Sequence, residues 1–306
     1  EDFENIEQKV QELCSPTDFQ LQPHQMFIRN YLSFNTPYNS ILLFHGLGTG
    51  KTCSSISVTE EMRQNLKQMN LKKKIIIVAS PVVQENYKLQ LFDERKLKKV
   101  GGSWNIKSCT GNIFIKEINP INSKISREKL VFQIKKIIRN WYVFMGYTEF
   151  SNFINRTINK YRISEDDNPE QIKRKKKLIK DEFSNRMIVI DEVQNIRNIK
   201  KIKKSSINFL ELVKYTENLK LLLLTATPMF NNPEEIVWLL NLMNINDNRV
   251  PINISDVFNK DGELLIGNNG EEIGKELLIR KMRGYVSYVN KSNFKFSVYF
   301  TSKKIN

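Results

Sequence analysis

Three cysteines and two histidines are all that this 306-residue chain offers toward a zinc site. Cys14, Cys53 and Cys109 are odd in number, widely spaced and in no Cys-x-x-Cys pair, which argues against a zinc site and favours reduced intracellular thiols. Long apolar runs are missing too. Ile75–Ala79 and Leu221–Leu224 are strand-sized, far below the roughly 18 residues of a membrane span. The N-terminus, from Glu1 to Asn5, is acidic and lacks the layout of a signal peptide. It lacks an initiator Met as well, from which a longer parent chain is expected. No internal repeat is visible. Acidic residues are outnumbered, 33 against 48 basic, for a net charge of +15. That balance points to polyanionic partners such as nucleic acid, although an AT-rich genome would also enrich lysine, asparagine and isoleucine.

What is present centres on the stretch Ser40 to Ile56. An apolar run, Ile41 to Phe44, stops at a glycine-rich turn that runs straight into a helical pattern. This is the order of strand, phosphate-cradling loop and helix N-terminus that a P-loop needs. Gly46, Gly48 and Gly50 let the backbone wrap closely, so that Gly46, Leu47, Gly48, Thr49 and Gly50 aim their N–H groups at phosphate oxygens. Lys51 is placed to reach the β/γ-phosphates, and the Thr52 hydroxyl to ligate Mg²⁺. His45 stands where the strict pattern G-x-x-x-x-G-K-S/T has glycine, while the shorter Gly48–Thr52 form is intact.

The remaining apolar runs alternate with helical patterns. Phe3 to Leu13 has helical spacing, and Pro23 opens a second helix. On that helix Gln25 is either an ordinary polar residue or an adenine reader, since an amide offers both donor and acceptor. Cys53–Met69, Val82–Phe92 and Ser126–Trp141 read as helices; Lys72–Ala79 and Tyr142–Met145 read as strands, and Asn105–Cys109 as a short one. Asn155–Asp181 carries few large apolar residues and the run Lys173 to Lys177. It reads as an exposed, partly helical insertion whose basic half is either a solvated face or a nucleic-acid contact. Met187–Ile190 is an apolar strand ending in Asp191 and Glu192. There Asp191 is placed to hold Mg²⁺ and Glu192 to polarise an attacking water. Lys220–Thr225 is a further buried strand, and a helix follows Pro233. Asp256–Lys275 reads as loop, Glu276–Met282 as a short helix and Ser297–Thr301 as a last strand or exit segment. Continuous apolar strands separated by helices predict an α/β fold with a central, mostly parallel sheet flanked by helices.

Taken in order, these stretches resemble the first RecA-like lobe of a superfamily 2 helicase. Gln25 resembles the adenine-reading Q-type residue, and Gly46–Thr52 resembles motif I. Val78-Ala79-Ser80-Pro81 is similar to motif Ia, a nucleic-acid contact in that family, and Tyr147 is grouped with Ser80 and Pro81 as a candidate contact. Asp191-Glu192-Val193-Gln194 resembles motif II. Thr225-Ala226-Thr227 resembles motif III, which couples ATP state to the nucleic-acid track, with Gln194 as its partner in place of the usual His. The extended forms of motifs II and III are similar to those of chromatin-remodelling translocases. Phe44-His45 and Gly284-Tyr285-Val286-Ser287-Tyr288 resemble the large-DNA-virus versions, nucleoside triphosphate phosphohydrolase I and early transcription factor helicases.

The resemblance implies an ATP- and Mg²⁺-using, nucleic-acid-dependent ATPase, catalytic through Lys51, Asp191 and Glu192. It implies duplex DNA more than RNA as partner, RNA polymerase or transcription-factor subunits beside it, no membrane, and an intracellular site: host cytoplasm or virion. It divides the chain into N-terminal helices (1–39), the ATP-binding lobe (40–245, insertion 155–181) and an extension (246–306) leading toward a second lobe that supplies arginine fingers. The roughly 80 residues after motif III are too few to hold that lobe, so this stretch alone is expected to bind ATP weakly and hydrolyse it poorly. An RNA helicase and a non-catalytic promoter-binding or assembly module with a structural P-loop are the alternatives.

Overall fold

Residues 21–46, 48–121, 124–161, 167–198, 203–227 and 235–289 are described by the structure, a computed structural model. The expected helix Phe3–Leu13, Leu47, Cys14, the start of the helix at Pro233 and the segment Ser297–Thr301 lie outside the described residues. The chain opens with α1 (Pro23–Tyr31), β1 (Ser40–His45), α2 (Lys51–Gln68), β2 (Ile75–Val78) and α3 (Pro81–Leu91). A hairpin follows, β3 (Leu97–Val100) and β4 (Ser103–Ile106), then α4 (Ile113–Ile118), α5 (Arg127–Trp141), β5 (Tyr142–Met145), α6 (Tyr147–Lys160) and α7 (Pro169–Phe183). The last part runs β6 (Met187–Ile190), α8 (Asn195–Asn198), α9 (Lys203–Lys214), β7 (Lys220–Thr225), α10 (Glu235–Asn246), α11 (Ile273–Met282) and β8 (Val286–Val289).

Six of these strands form one parallel sheet in the order β5-β2-β6-β7-β1-β8. Side chains alternate across a strand, and here both faces are apolar. Ile76, Val78, Ile188, Ile190, Leu221 and Leu223 enter one core, with Phe150, Phe183, Phe209 and Leu240 from the helices above. Ile75, Ile77, Met187, Val189, Leu222 and Leu224 enter the opposite core, against Ile28, Ile56, Met62 and Leu91. Burial on both faces is why these strands read as unbroken apolar runs. Each such side chain contributes about 1.5–3 kcal/mol over its exposed state. The α/β expectation, a parallel sheet flanked by helices, therefore holds.

A third, smaller core joins the β3–β4 hairpin to α4 and α5 through Leu97, Ile106, Phe114, Leu130 and Ile134. It is tied to α2 by charge. The buried Arg63 meets Glu60 (2.9 Å) and Glu117 (2.8 Å), and Tyr142 Oη donates to Glu60 Oε1 at 2.6 Å. Burial pushes the Glu60 carboxyl up, against the pull of Arg63. Within the basic 155–181 stretch, Ile158 and Ile179 anchor in the first core, as does Phe183 just beyond it, while Lys173, Arg174, Lys176 and Lys177 face solvent.

The cysteines depart from expectation. Cys53, in the first turn of α2, is disulfide-bonded to Cys109, in the turn after β4, with Cα atoms 5.2 Å apart. The linear spacing gave no sign of this, because only the packing of the small core against α2 brings the two together. Closing a loop of this length restricts the unfolded chain by about 4 kcal/mol on the chain-entropy model. Reduction is expected to lower the unfolding temperature of the wild type and to leave that of Cys53→Ser unchanged. Equal melting of the wild type with and without reductant would contradict a bonded pair.

Candidate functional site

The carboxyl ends of β1, β7 and β6 lie side by side, and each carries one of the sequence-predicted clusters. β1 runs into the glycine turn, where Gly48 (φ +73°) and Gly50 (φ +82°) adopt the left-handed conformation that glycine accepts without strain. A Cβ on Gly50 would also lie 2.7 Å from Gln25 Nε2, so the position excludes side chains twice over. Thr49 Oγ1 donates to the Gly46 carbonyl at 2.8 Å and closes the turn. α2 starts at Lys51 with no side-chain cap at Gly50, which leaves the positive end of its dipole facing the loop. Lys51 Nζ donates to the His45 carbonyl at 3.0 Å.

Two residues of α1 brace the loop from the side. Gln25 Nε2 donates to the Gly50 carbonyl at 3.3 Å, and its Oε1 accepts from the Gln22 N–H at 3.0 Å. Both ends of the amide are thereby engaged with backbone. The neighbouring His24 ring meets the Thr49 carbonyl through Nε2 at 3.3 Å. Sequence reasoning weighed Gln25 and passed over His24, although the two are adjacent.

β6 ends in Asp191, whose N–H donates to the Val78 carbonyl at 2.9 Å. Burial, then the charge of Glu192, pushes the Asp191 carboxyl up to about 6, against the opposing charge of Lys51. A half-buried carboxylate beside a second one is short of positive charge, and that suits a divalent cation. Asp191 and Thr52 could supply oxygens to it, a set that suits Mg²⁺ because that ion keeps most of its waters. Among the described residues no cluster of three or more His, Cys, Asp or Glu makes a fuller metal cage.

Glu192 has φ +44°, an uncommon conformation for a residue with a side chain and the kind of strain that gathers at working sites. Its Oε2 accepts from Gln194 Nε2 at 2.8 Å. Thr225 Oγ1, at the end of β7, directs its single proton to Gln194 Oε1 at 2.8 Å, with Glu192 Oε2 at 3.4 Å. Gln194 Nε2 also reaches Thr227 Oγ1 at 3.3 Å, and the Thr227 N–H donates to Thr225 Oγ1 at 2.9 Å. Because β7 lies between β1 and β6, these threonines sit between the glycine loop and the two carboxylates. Gln194 thus bonds to the Thr225–Thr227 segment through both ends of its amide.

Ser80 and Pro81 begin α3 at the end of β2, and Val82 after them is 80% exposed. Tyr147, at the start of α6, turns its hydroxyl inward. Oη donates to the Asp191 carbonyl at 2.9 Å and also meets the Asn195 side chain and the Ser80 backbone. Burial holds the phenol above its ordinary range. His45 is fully buried, and its Nε2 lies 3.0 Å from Ser287 Oγ on β8; the resemblance named both stretches, but nothing in the sequence placed them in contact.

Residues 24–279 match the SNF2-related domain. The chain is 23% identical over 290 residues to a protein of Acanthamoeba polyphaga mimivirus named as a candidate ATP-dependent RNA helicase, covering 90% of this chain and 42% of that protein. It is 26% identical over 285 residues to a protein of Invertebrate iridescent virus 3 named as a candidate helicase, covering 90% and 23%. A Frog virus 3 protein, also named as a candidate helicase, is 25% identical over 269 residues, covering 87% and 23%. The chain therefore spans less than half the length of these relatives. No helix among the described residues is long and apolar enough to cross a membrane. With five-sixths of its length matching one domain, the chain belongs to the SNF2-related domain family.

Proposed function

We propose that this chain is the ATP-binding lobe of an ATP-dependent nucleic-acid translocase or helicase that acts on duplex DNA in viral-type early transcription. The observation that carries the reading is the convergence of Lys51, Asp191 and the Glu192–Gln194–Thr225 hydrogen bonds at the carboxyl ends of β1, β6 and β7. In this reading the backbone of Gly46, Leu47, Gly48, Thr49 and Gly50 cradles the phosphates, and Lys51 exchanges the His45 carbonyl for their oxygens. Thr52 and Asp191 would hold Mg²⁺, which offsets phosphate charge when bound. Glu192 takes the proton of the attacking water, its carboxylate aimed by Gln194 and Thr225. Gln25 braces the loop from the Gly50 side. Ser80, Pro81 and the ring of Tyr147 border the surface assigned to nucleic acid, beside a second lobe and transcription partners elsewhere.

A second reading, an RNA helicase, is favoured by the name of the mimivirus relative. The full-length chain should hydrolyse ATP faster with duplex DNA than with single-stranded DNA or RNA at equal nucleotide concentration. Strongest stimulation by RNA would overturn the DNA assignment in favour of the RNA helicase.

A further inference from the structure

His45 fills the place of a loop glycine, and its surroundings give that side chain a task. The residue is bonded in two directions. Its backbone carbonyl accepts from Lys51 Nζ at 3.0 Å, while its imidazole Nε2 meets Ser287 Oγ at 3.0 Å. Ser287 belongs to β8, the edge strand, which pairs with β1 so that His45 lies opposite Val289. The ladder continues into the loop itself, because the Gly46 N–H donates to the Val289 carbonyl at 3.0 Å. The approach to β8 is anchored as well: the Tyr285 carbonyl accepts from the Leu42 N–H at 2.7 Å, and the Gly284 carbonyl accepts from the Tyr31 hydroxyl.

We propose that His45 and Ser287 are positioning residues that join the phosphate loop to β8, so that nucleotide at the loop is felt by the strand leading out of the lobe. The inference rests on the ATP-binding reading above. A phosphate at the loop draws the Lys51 ammonium and its protons away from the His45 carbonyl, so nucleotide binding alters the hydrogen bonding of a residue whose side chain grips β8. The ring is suited to a fixed contact. Its Nδ1 is buried without a partner among the described residues. A lone pair is cheaper to leave there than an N–H, which places the proton on Nε2, donating to Ser287 Oγ. Burial, His24 and Lys51 hold the imidazole neutral down to about pH 4.

The test uses the full-length chain with saturating duplex DNA, and RNA in parallel. Ser287→Ala is expected to lower nucleic-acid-stimulated kcat about three- to ten-fold, the range reached by side chains along a coupling route. Basal kcat, the KM for ATP and the unfolding temperature stay near wild type. Ser287→Thr, which keeps the hydroxyl, restores stimulation. Full stimulation in Ser287→Ala, or an equal fall in basal and stimulated rates with a lowered unfolding temperature, overturns the proposal. Hydrogen exchange on the wild type supplies a second readout: amides 284–289 change protection on addition of Mg²⁺–nucleotide, and do not in Lys51→Ala. Unchanged exchange in the wild type overturns the link while leaving ATP binding intact. Undiminished ATP turnover in Lys51→Ala removes the ATP-site reading, and the link with it.

Discussion

Glu192→Gln is expected to lower nucleic-acid-stimulated ATP turnover by about 10²–10⁴-fold, the range that a positioned general base contributes. The substitution keeps shape and backbone. An amide oxygen in place of Oε2 still accepts from Gln194 Nε2, which lies at 2.8 Å. What disappears is the basic oxygen that takes a proton from water. Nucleotide binding should change little, because the phosphate cradle and Lys51 lie on β1 and α2, beyond the Thr225 segment. Steady-state turnover and a nucleotide titration on the same preparation separate the two. Turnover above a tenth of wild type would remove Glu192 from the role of base.

Asp191→Asn should be inactive and more stable. The Asp191 carboxyl sits at about 6 in the fold, against an ordinary value of 3.8. Because the folded value is the higher one, the unfolded chain loses its proton first as pH rises. Stability therefore falls between roughly pH 4 and pH 6 and stays lower above that window. At 1.36 kcal/mol per unit, and discounted for partial exposure, the ionised carboxylate costs the metal-free fold about 2 kcal/mol. Asn removes that cost while sparing the backbone contacts to Tyr147 and Val78. Urea unfolding without Mg²⁺ should show the variant more stable at pH 8 and equal to wild type near pH 4. A variant less stable at pH 8 would mean that the carboxylate has a partner which the geometry does not supply.

Much of this was legible in the sequence for one physical reason. Strands covered on both faces must be apolar throughout, so β1, β2, β6 and β7 stood out as unbroken runs, each ending at its own chemistry. β3 and β8 did not. Leu97-Lys98-Lys99-Val100 buries only its leucine, and β8 is an edge strand with no fully buried residue. The lysine, the two carboxylates and the threonines were likewise readable, because each chemistry is confined to a few consecutive residues. Their mutual contacts were not. The Glu192–Gln194–Thr225 bonds depend on β7 lying between β1 and β6, and the His45–Ser287 contact depends on β8 joining the far edge. Tyr147 shows the same limit. Its grouping with Ser80 and Pro81 was a sequence expectation, while the inward turn of its hydroxyl to Asp191 is a property of the packed fold.

The most direct test of the central claim is a fluorescence titration of the chain with a labelled ATP analogue, with and without Mg²⁺, on wild type and Lys51→Ala. The account predicts saturable, Mg²⁺-enhanced binding to wild type that is lost or strongly weakened in Lys51→Ala. No binding to wild type, or equal binding to both proteins, would contradict it and leave the glycine loop a structural turn in a non-catalytic module.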